Sequence, residues 1–188
     1  MPSFNALTLS HQFMKEHMRE GAFCIDATAG RGKDTLFLAQ HCGENGRILA
    51  FDIQQDALDS TKNLLTEHGL QEKVSLILDS HSNMEQYADA ESVDLICFNF
   101  GWLPGGDHNI FTRTESSIAA IDAALRLLKT GGAMSLCIYY GKNNGYEERD
   151  AILAYLKTID PRTASVLVCE FVNRGNDPAI PVFILKGI

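Results

Sequence analysis

The sequence predicts a single α/β domain, residues 1–188, built on a doubly wound, mostly parallel sheet of seven strands. Short apolar segments alternate with amphipathic helical patterns along the chain, as expected when helices connect parallel strands. Segments such as Leu95-Ile96-Cys97-Phe98 are apolar without alternation, which is typical of strands covered by helices on both faces. The turn at 173–178 contains no helical pattern, so the last strand is predicted to run antiparallel to its predecessor.

The predicted elements follow in a regular order. Strands are expected at 22–26, 47–52, 74–78, 93–99, 133–139, 165–172 and 181–186, and helices at 9–19, 34–41, 55–68, 114–129 and 147–157. Thr8 or Ser10 is the expected N-cap of the first helix, and Gly131-Gly132 the expected C-terminal cap of the fourth. A parallel sheet with one reversed last strand is the Rossmann-like layout of class I methyltransferases. Dinucleotide-binding Rossmann folds normally end differently.

Composition restricts the functional classes. The chain is 45% hydrophobic and 21% charged, with a net charge of −8. No segment approaches the roughly 20 apolar residues of a membrane helix, and the first 20 residues lack a cleavable signal's apolar core, so a cytoplasmic protein without membrane contact is expected. Five scattered cysteines argue against a disulfide framework. No Cys/His cluster has zinc spacing, so no metal is expected. A homodimer is left open.

The strongest local motif is the glycine-containing loop that follows the first strand, Asp26-Ala27-Thr28-Ala29-Gly30-Arg31-Gly32-Lys33-Asp34-Thr35. A P-loop requires Ser or Thr after Gly32-Lys33, where this chain has Asp34. A dinucleotide fingerprint requires a third glycine, where Thr35 stands. What remains is a methyl-donor loop, in which backbone N–H groups meet the carboxylate of the donor's methionine part. The alternative is a purely structural turn.

Two later strand ends carry polar residues suited to an adenosyl group. Asp52 ends the second strand, where a carboxylate accepts hydrogen bonds from ribose hydroxyls, and Gln54 is near enough to assist. The alternative for Asp52 is an N-cap of the following helix. Ser80 and His81 follow the third strand, within reach of an adenine amino group. The alternative there is that Asp79 or Ser80 caps a short helix at 83–87.

The segment after the fourth strand, Phe98-Asn99-Phe100-Gly101-Trp102-Leu103-Pro104-Gly105-Gly106-Asp107, is the candidate reaction site. It resembles the Asn-Pro-Pro-Tyr motif of amino-group methyltransferases, in which the Asn carbonyl orients the target nitrogen and an aromatic residue stacks on the substrate. Asn99 and Trp102 match those two roles, and Leu103 and Pro104 are further substrate-contact candidates. Tyr140 and Lys142 after the fifth strand, and Arg174 in the last loop, are weaker candidates. A glycine-rich turn and ordinary solvated loops are the alternatives.

Taken together, DATAGRGKDTLFLA, FDIQ, DSH, FNFGWLPGGD, YYGKNNGYEERDAIL and FVNRGNDP resemble the family labelled putative rRNA methylase, from about residue 9 to 186. That family includes a methyltransferase acting on 5-aminomethyl-2-thiouridine at the tRNA wobble position. The resemblance implies S-adenosylmethionine as methyl donor and tRNA as partner. The donor-binding positions that it implies are Asp26, Thr28, Gly30, Arg31, Gly32, Asp34, Asp52, Gln54, Ser80 and His81.

An amine target has a chemical requirement. A free alkylamine with a pKa of roughly 10 has no lone pair to offer when protonated. A dry pocket beside the donor's sulfonium would lower that pKa by desolvation and like charge. Asp107 or His108 is a candidate proton acceptor, and water is another.

Three functions remain open from the sequence. The first is methylation of the aminomethyl nitrogen of tRNA uridine 34, the second methylation of another RNA or of a small amine, and the third a non-catalytic adenosyl-binding module. The acidic net charge favours a small molecule, because nucleic-acid sites normally present a basic face. A tRNA substrate would require a local basic rim, for which the candidates are Arg31, Arg113, Lys142, Arg149 and Arg174.

Overall fold

A computed structural model describes residues 4–101, 114–141 and 145–187 and shows helices on both faces of one seven-stranded sheet. The helices are α1 (Ala6–His17), α2 (Lys33–His41), α3 (Gln55–Glu67), α4 (Thr114–Leu127) and α5 (Tyr146–Leu156), with 3₁₀ turns at Gln71–Lys73 and His81–Gln86. The strands are β1 (Phe23–Asp26), β2 (Arg47–Asp52), β3 (Val74–Leu78), β4 (Val93–Phe100), β5 (Leu128–Ile138), β6 (Ala164–Val168) and β7 (Ile180–Lys186).

The strand order is β3-β2-β1-β4-β5-β7-β6. β7 runs antiparallel to β5 and to β6, and the pairs from β3 through β5 are parallel. The predicted fold class is therefore confirmed. The chain turns from β1 towards β2 on one side and later crosses to β4 on the other, so the topological switch point lies between β1 and β4.

The side chains of the central strand β4 pack into two hydrophobic clusters, one on each face of the sheet. Leu95 and Cys97 pack in the cluster that contains Met14 of α1 and Leu38 of α2. Ile96, Phe98 and Phe100 pack in the cluster of α4 and α5. All five side chains are buried, as the continuous apolar run predicts. Because side chains alternate along a strand, Asn99 points to the α1–α2 side.

The first helix begins earlier than predicted. Its N-cap is Asn5, whose side chain accepts from the Thr8 backbone N–H at 2.9 Å, while the Thr8 hydroxyl accepts from the Asn5 backbone N–H at 2.9 Å. This reciprocal capping box satisfies two donors at once. Ser10 is buried and lies 3.1 Å from the Cys137 thiol. Thr8 and Ser10 were therefore wrong as N-caps.

The junction between α4 and β5 also differs from the prediction. The helix ends at Leu127 and the strand begins at the buried Leu128, which pairs with Val93. The next registered pair, Leu95 with Ala133, lies five residues on along β5 but two along β4. The extra residues form an irregularity in which Gly131 has φ of +79°. The glycines thus shape a strand irregularity, and the predicted helix cap was wrong.

Strand β6 ends at Val168, four residues before its predicted end. Phe171 leaves the sheet and places its ring edge-on to Phe4, with centroids 6.0 Å apart, and Val172 is 93% exposed.

No helix in the described ranges 4–101, 114–141 and 145–187 is long and apolar enough to cross a membrane. Within the same ranges, no group of three His, Cys, Asp or Glu side chains could hold a metal ion.

Candidate active site

The loop after β1 is organised around a buried carboxylate. Asp26 is fully buried; one oxygen accepts from the Thr28 backbone N–H at 3.1 Å and the other from the Thr35 hydroxyl at 2.6 Å. Burial, followed by the nearby charge of Asp34, raises the pKa of Asp26 to about 7. Asp26 was predicted as a donor contact. In this arrangement both of its oxygens are engaged by the loop itself, so it fixes the loop's shape.

Asp52 connects the end of β2 to the same loop. Its Oδ2 accepts from the Gly30 backbone N–H at 2.9 Å, and its Oδ1 accepts from the Gln54 backbone N–H at 2.9 Å. The N-cap of α3 is Gln54, so the alternative reading of Asp52 as that N-cap was wrong. Each carboxylate oxygen has a second lone pair, and the residue is partly exposed. Asp52 therefore keeps acceptor capacity for a ligand's hydroxyl groups.

Gly30 and Gly32 both have left-handed backbone, with φ of +53° and +78°. A Cβ at Gly32 would lie 2.9 Å from the Thr61 Cα of α3, and the Thr61 hydroxyl donates to the Gly30 carbonyl at 3.2 Å. The packing of α2 against α3 therefore requires a glycine at position 32 whether or not a ligand is bound. Arg31, between the two glycines, is exposed.

The segment after β3 combines a helix cap with an unusual histidine. Ser80 is the N-cap of the 3₁₀ turn, and its hydroxyl accepts from the Ser82 backbone N–H at 3.2 Å, which confirms the capping interpretation. His81 is buried, 6.2 Å edge-on to Phe98 and 6.0 Å to Phe100. Among the residues that the structure describes, none is a hydrogen-bond partner of its Nε2.

The protonation state of His81 follows from its surroundings. Burial lowers the pKa of His81 to about 4, against a smaller opposing effect of a hydrogen bond with the Ala27 backbone. A neutral imidazole carries a proton on one ring nitrogen and is an acceptor at the other. In the tautomer that carries the proton on Nδ1, Nε2 is a bare acceptor. An unpaired buried acceptor is costly and fits an N–H or O–H donor on a ligand.

Asn99 lies at the switch point near the carboxyl end of β4. Its backbone N–H donates to the Thr28 hydroxyl at 2.7 Å, and its side-chain Nδ2 donates to Asp34 Oδ2 at 2.6 Å. An ionised carboxylate is only an acceptor, so the amide nitrogen must face Asp34. The carbonyl Oδ1 accepts no hydrogen bond from any described residue. Asn99 therefore presents a fixed, available acceptor.

The sequence reasoning missed His11, and it named Tyr139 only as part of the segment that ends the fifth strand. His11 of α1 places Nε2 2.6 Å from Asp34 Oδ1. Burial first, and then the charges of Cys137 and Asp34, raise the pKa of Tyr139, the residue that follows β5. His11 and Asp34 are separated by 22 intervening residues with no shared motif. Only the docking of α1 beside α2 brings them together.

A cleft of about 450 Å³ lies beside the same edge, between α5 and the loop before β7. Its lining includes Tyr140, Arg149, Asp150, Phe171, Arg174 and Asp177. The Arg149 guanidinium lies 4.6 Å from the Tyr140 ring centre, and that of Arg174 lies 4.1 Å from the Phe171 ring centre. Arg149 pairs with Asp150 at 2.7 Å. Two of the predicted rim arginines thus share one cleft and are held against aromatic rings.

The remaining predicted site residues lie outside the described residues. These are Trp102, Leu103, Pro104, Asp107, His108 and Lys142, together with the rim candidate Arg113. The described chain reaches Gly101, where a Cβ would lie 3.0 Å from the Tyr139 Cβ. A glycine is therefore needed where the segment leaves β4.

Comparisons with known proteins identify the family of this chain. The family model described as Putative rRNA methylase matches residues 48–185. The tRNA (mnm(5)s(2)U34)-methyltransferase, chloroplastic, of Arabidopsis thaliana is 34% identical over 95% of this chain and 68% of its own length.

Two solved structures cover almost the whole chain. A putative rRNA-methylase from Clostridium thermocellum has a TM-score of 0.95 and 44% identity, covering 99% of this chain and 100% of its own. A putative methyltransferase from Streptococcus mutans, in complex with SAH, has a TM-score of 0.88 and 32% identity, covering 98% and 99%. The chain therefore belongs to the Putative rRNA methylase family and is an S-adenosylmethionine-dependent methyltransferase.

Proposed function

We propose that this methyltransferase methylates the exocyclic aminomethyl nitrogen of the wobble uridine, position 34, of tRNA. The observation that carries the proposal is the Asn99 amide, whose Nδ2 is held by Asp34 at 2.6 Å while Oδ1 has no donor among the described residues. An acceptor of this kind at the switch point suits an amine, because a carbonyl oxygen that accepts an N–H fixes the direction of the nitrogen lone pair.

The residues of this edge fit S-adenosylmethionine, which supplies an electrophilic methyl group on a sulfonium. Asp52 would accept from the ribose hydroxyls, assisted by Gln54, and the loop that contains Gly30 and Arg31 would meet the methionine end. The Nε2 of His81, to which no described residue donates, fits an N–H donor such as the adenine amino group. In this proposal Asp26 and Gly32 hold the loop in shape.

The work of this chain's residues in the reaction is mainly positioning. Asn99 Oδ1 would accept one N–H of the target amine and aim its lone pair at the methyl group. The amine must first lose a proton, and Asp107 and His108 remain the proposed acceptors. Trp102, with Leu103 and Pro104, would stack on the uracil ring. No acid–base residue is needed for the transfer itself, because a neutral amine is already a competent nucleophile.

The choice of tRNA is supported by the Arabidopsis relative, whose activity concerns U34 of tRNA. Methylation of rRNA, suggested by the family description, and of a small amine, favoured by the net charge of −8, are the alternatives. A non-catalytic adenosyl-binding module would have no use for an amide held as Asn99 is.

The direct test is nucleoside analysis of tRNA from a strain that lacks this protein. We expect the unmethylated 5-aminomethyl nucleoside to accumulate and the methylaminomethyl nucleoside to disappear, with both reversed by the restored gene. An unchanged tRNA profile would contradict the proposal, and a missing methyl group in rRNA would support the alternative RNA substrate.

Salt dependence separates an RNA substrate from a small amine. If Arg149 and Arg174 contact phosphates, the tRNA affinity should fall steeply with salt, because each contact releases counterions. The double variant Arg149→Ala/Arg174→Ala should flatten the logarithmic salt slope by about two units. Fluorescence titration of labelled tRNA at several salt concentrations measures that slope.

A matched control changes the same charge at the opposite edge of the sheet. Arg47 begins β2 and lies 3.7 Å over the Phe23 ring, and Arg162 precedes β6 with a side chain 90% exposed. The double variant Arg47→Ala/Arg162→Ala should keep the wild-type slope. If the wild type and both double variants have the same salt slope of tRNA affinity, the cleft does not contact tRNA. Turnover that does not depend on salt would favour a small amine as substrate.

A further inference from the structure

The Asp34 carboxylate is shared by two side chains from different elements. Oδ2 accepts from Asn99 Nδ2 of β4 at 2.6 Å, and Oδ1 lies 2.6 Å from His11 Nε2 of α1. The Asp34 side chain is 11% exposed and that of His11 is 25% exposed. The three groups form a chain that runs from the surface of α1 to the candidate reaction site.

The position of His11 is itself fixed by packing. Its ring stacks on Phe37 of α2, with centroids 4.0 Å apart and planes at 15°. A ring held in this way directs Nε2 at the carboxylate, one turn of α2 away from Phe37. Other titratable groups near Asp34 are Asp26 of β1, Cys97 of β4, Cys137 of β5 and Tyr139 just after β5, and the charge of Asp34 contributes to the raised pKa of all four.

The geometry points to His11 as a positioning residue for the Asn99 amide, an inference that rests on the proposed function. Bound by Asn99 alone, the Asp34 carboxylate is free to rotate about its terminal torsion, which is broad and roughly two-fold. A second hydrogen bond from His11 on the other oxygen fixes the carboxylate plane. The orientation of the carboxylate in turn fixes the position of Asn99 Nδ2. Oδ1 of the same amide then faces the amine nitrogen that receives the methyl group. His11 does not contact the substrate; it acts through Asp34.

The test uses three variants of one helix. His11→Ala removes the second bond, His11→Gln restores an N–H donor of similar reach, and His17→Ala is the matched control. His17 also lies on α1 and also packs on a phenylalanine, at 4.2 Å from Phe13, but its Nδ1 lies 2.8 Å from the Phe13 carbonyl of its own helix. Methylation kinetics with unmethylated tRNA and donor titration by calorimetry are measured for each.

We expect His11→Ala to lower kcat by about tenfold, as a small misplacement of the acceptor group does, with donor Kd and the KM for tRNA within about twofold of wild type. His11→Gln should recover most of kcat, and His17→Ala should match wild type. An unchanged kcat in His11→Ala would overturn the inference. A donor Kd that weakens in step with kcat would overturn it too, because His11 would then serve donor binding.

A second measurement does not depend on activity. In the donor-free protein, the ¹⁵N-labelled side-chain amide of Asn99 should show a downfield proton from its 2.6 Å bond to Asp34. His11→Ala should shift and broaden that resonance, and His17→Ala should not. An unmoved resonance in His11→Ala would overturn the inference even in an active enzyme. A wild-type protein without methylation activity, but with the expected shift, would contradict the proposed function alone.

Discussion

Asn99→Ala is expected to lower kcat by about a hundredfold or more while donor affinity stays within about twofold of wild type, since misplacing a reacting group by about 1 Å already costs about that much. The Asn99 side chain is bound to Asp34 through Nδ2. The substitution therefore removes the Oδ1 acceptor and leaves the Asp52 carboxylate in place. Single-turnover methylation of unmethylated tRNA measures the loss, and calorimetry measures donor binding.

The control for this variant is Asn63→Ala, which changes an exposed asparagine of α3 that makes none of the site contacts described above. It should keep both turnover and donor affinity. A donor affinity that collapses together with activity in Asn99→Ala would make Asn99 a structural or donor-binding residue. Asn99→Asp is not a conservative alternative, because it would place a second carboxylate against Asp34, where Nδ2 now lies 2.6 Å away.

The sequence predicted those features that depend on short stretches of chain. Asn99 and Asp52 each stand at the end of an apolar run, and parallel strands bring such ends to one edge. The buried pattern of β4 was readable for the same reason, because a strand between two helical layers must be apolar on both faces. These are local rules, and the structure follows them.

Other features depend on contacts between distant segments. The bond between His11 and Asp34 requires α1 to dock beside α2, and no spacing in the sequence encodes that docking. Asp26 is fully buried and accepts from the Thr35 hydroxyl within the loop, a contact that its residue type does not reveal; its contact with the donor stays a prediction. Gly131 resembles a helix cap in sequence, but pairing of Leu128 with Val93 begins the strand earlier. At Gly131 tertiary packing overrode the local signal, and at Asp34 and Asp26 it adds contacts that no local pattern encodes.

Asp52→Ala is expected to weaken S-adenosylmethionine binding tenfold or more. A hydrogen bond to a charged group contributes about 1.5–3 kcal/mol, and a carboxylate at this strand end would hold two ribose hydroxyls. Calorimetry measures the change, with Asp59→Ala as control. Asp59 is an exposed acid of α3 that accepts from the Gln55 side chain at 2.9 Å, and its removal should leave binding unchanged.

Asp52 also accepts from the backbone N–H groups of Gly30 and Gln54, so a weaker Kd alone would not separate direct binding from a disturbed loop. A donor analogue that lacks the ribose 2′-hydroxyl separates the two. If Asp52 binds the ribose, the wild type should bind the deoxy analogue about tenfold more weakly, and Asp52→Ala should bind both ligands alike, since the interaction is already gone. If Asp52 only shapes the loop, the hydroxyl should contribute equally in both proteins. If the wild type and Asp52→Ala both lose the same factor in affinity when the 2′-hydroxyl is removed, Asp52 does not bind the ribose, and its role is to hold Gly30.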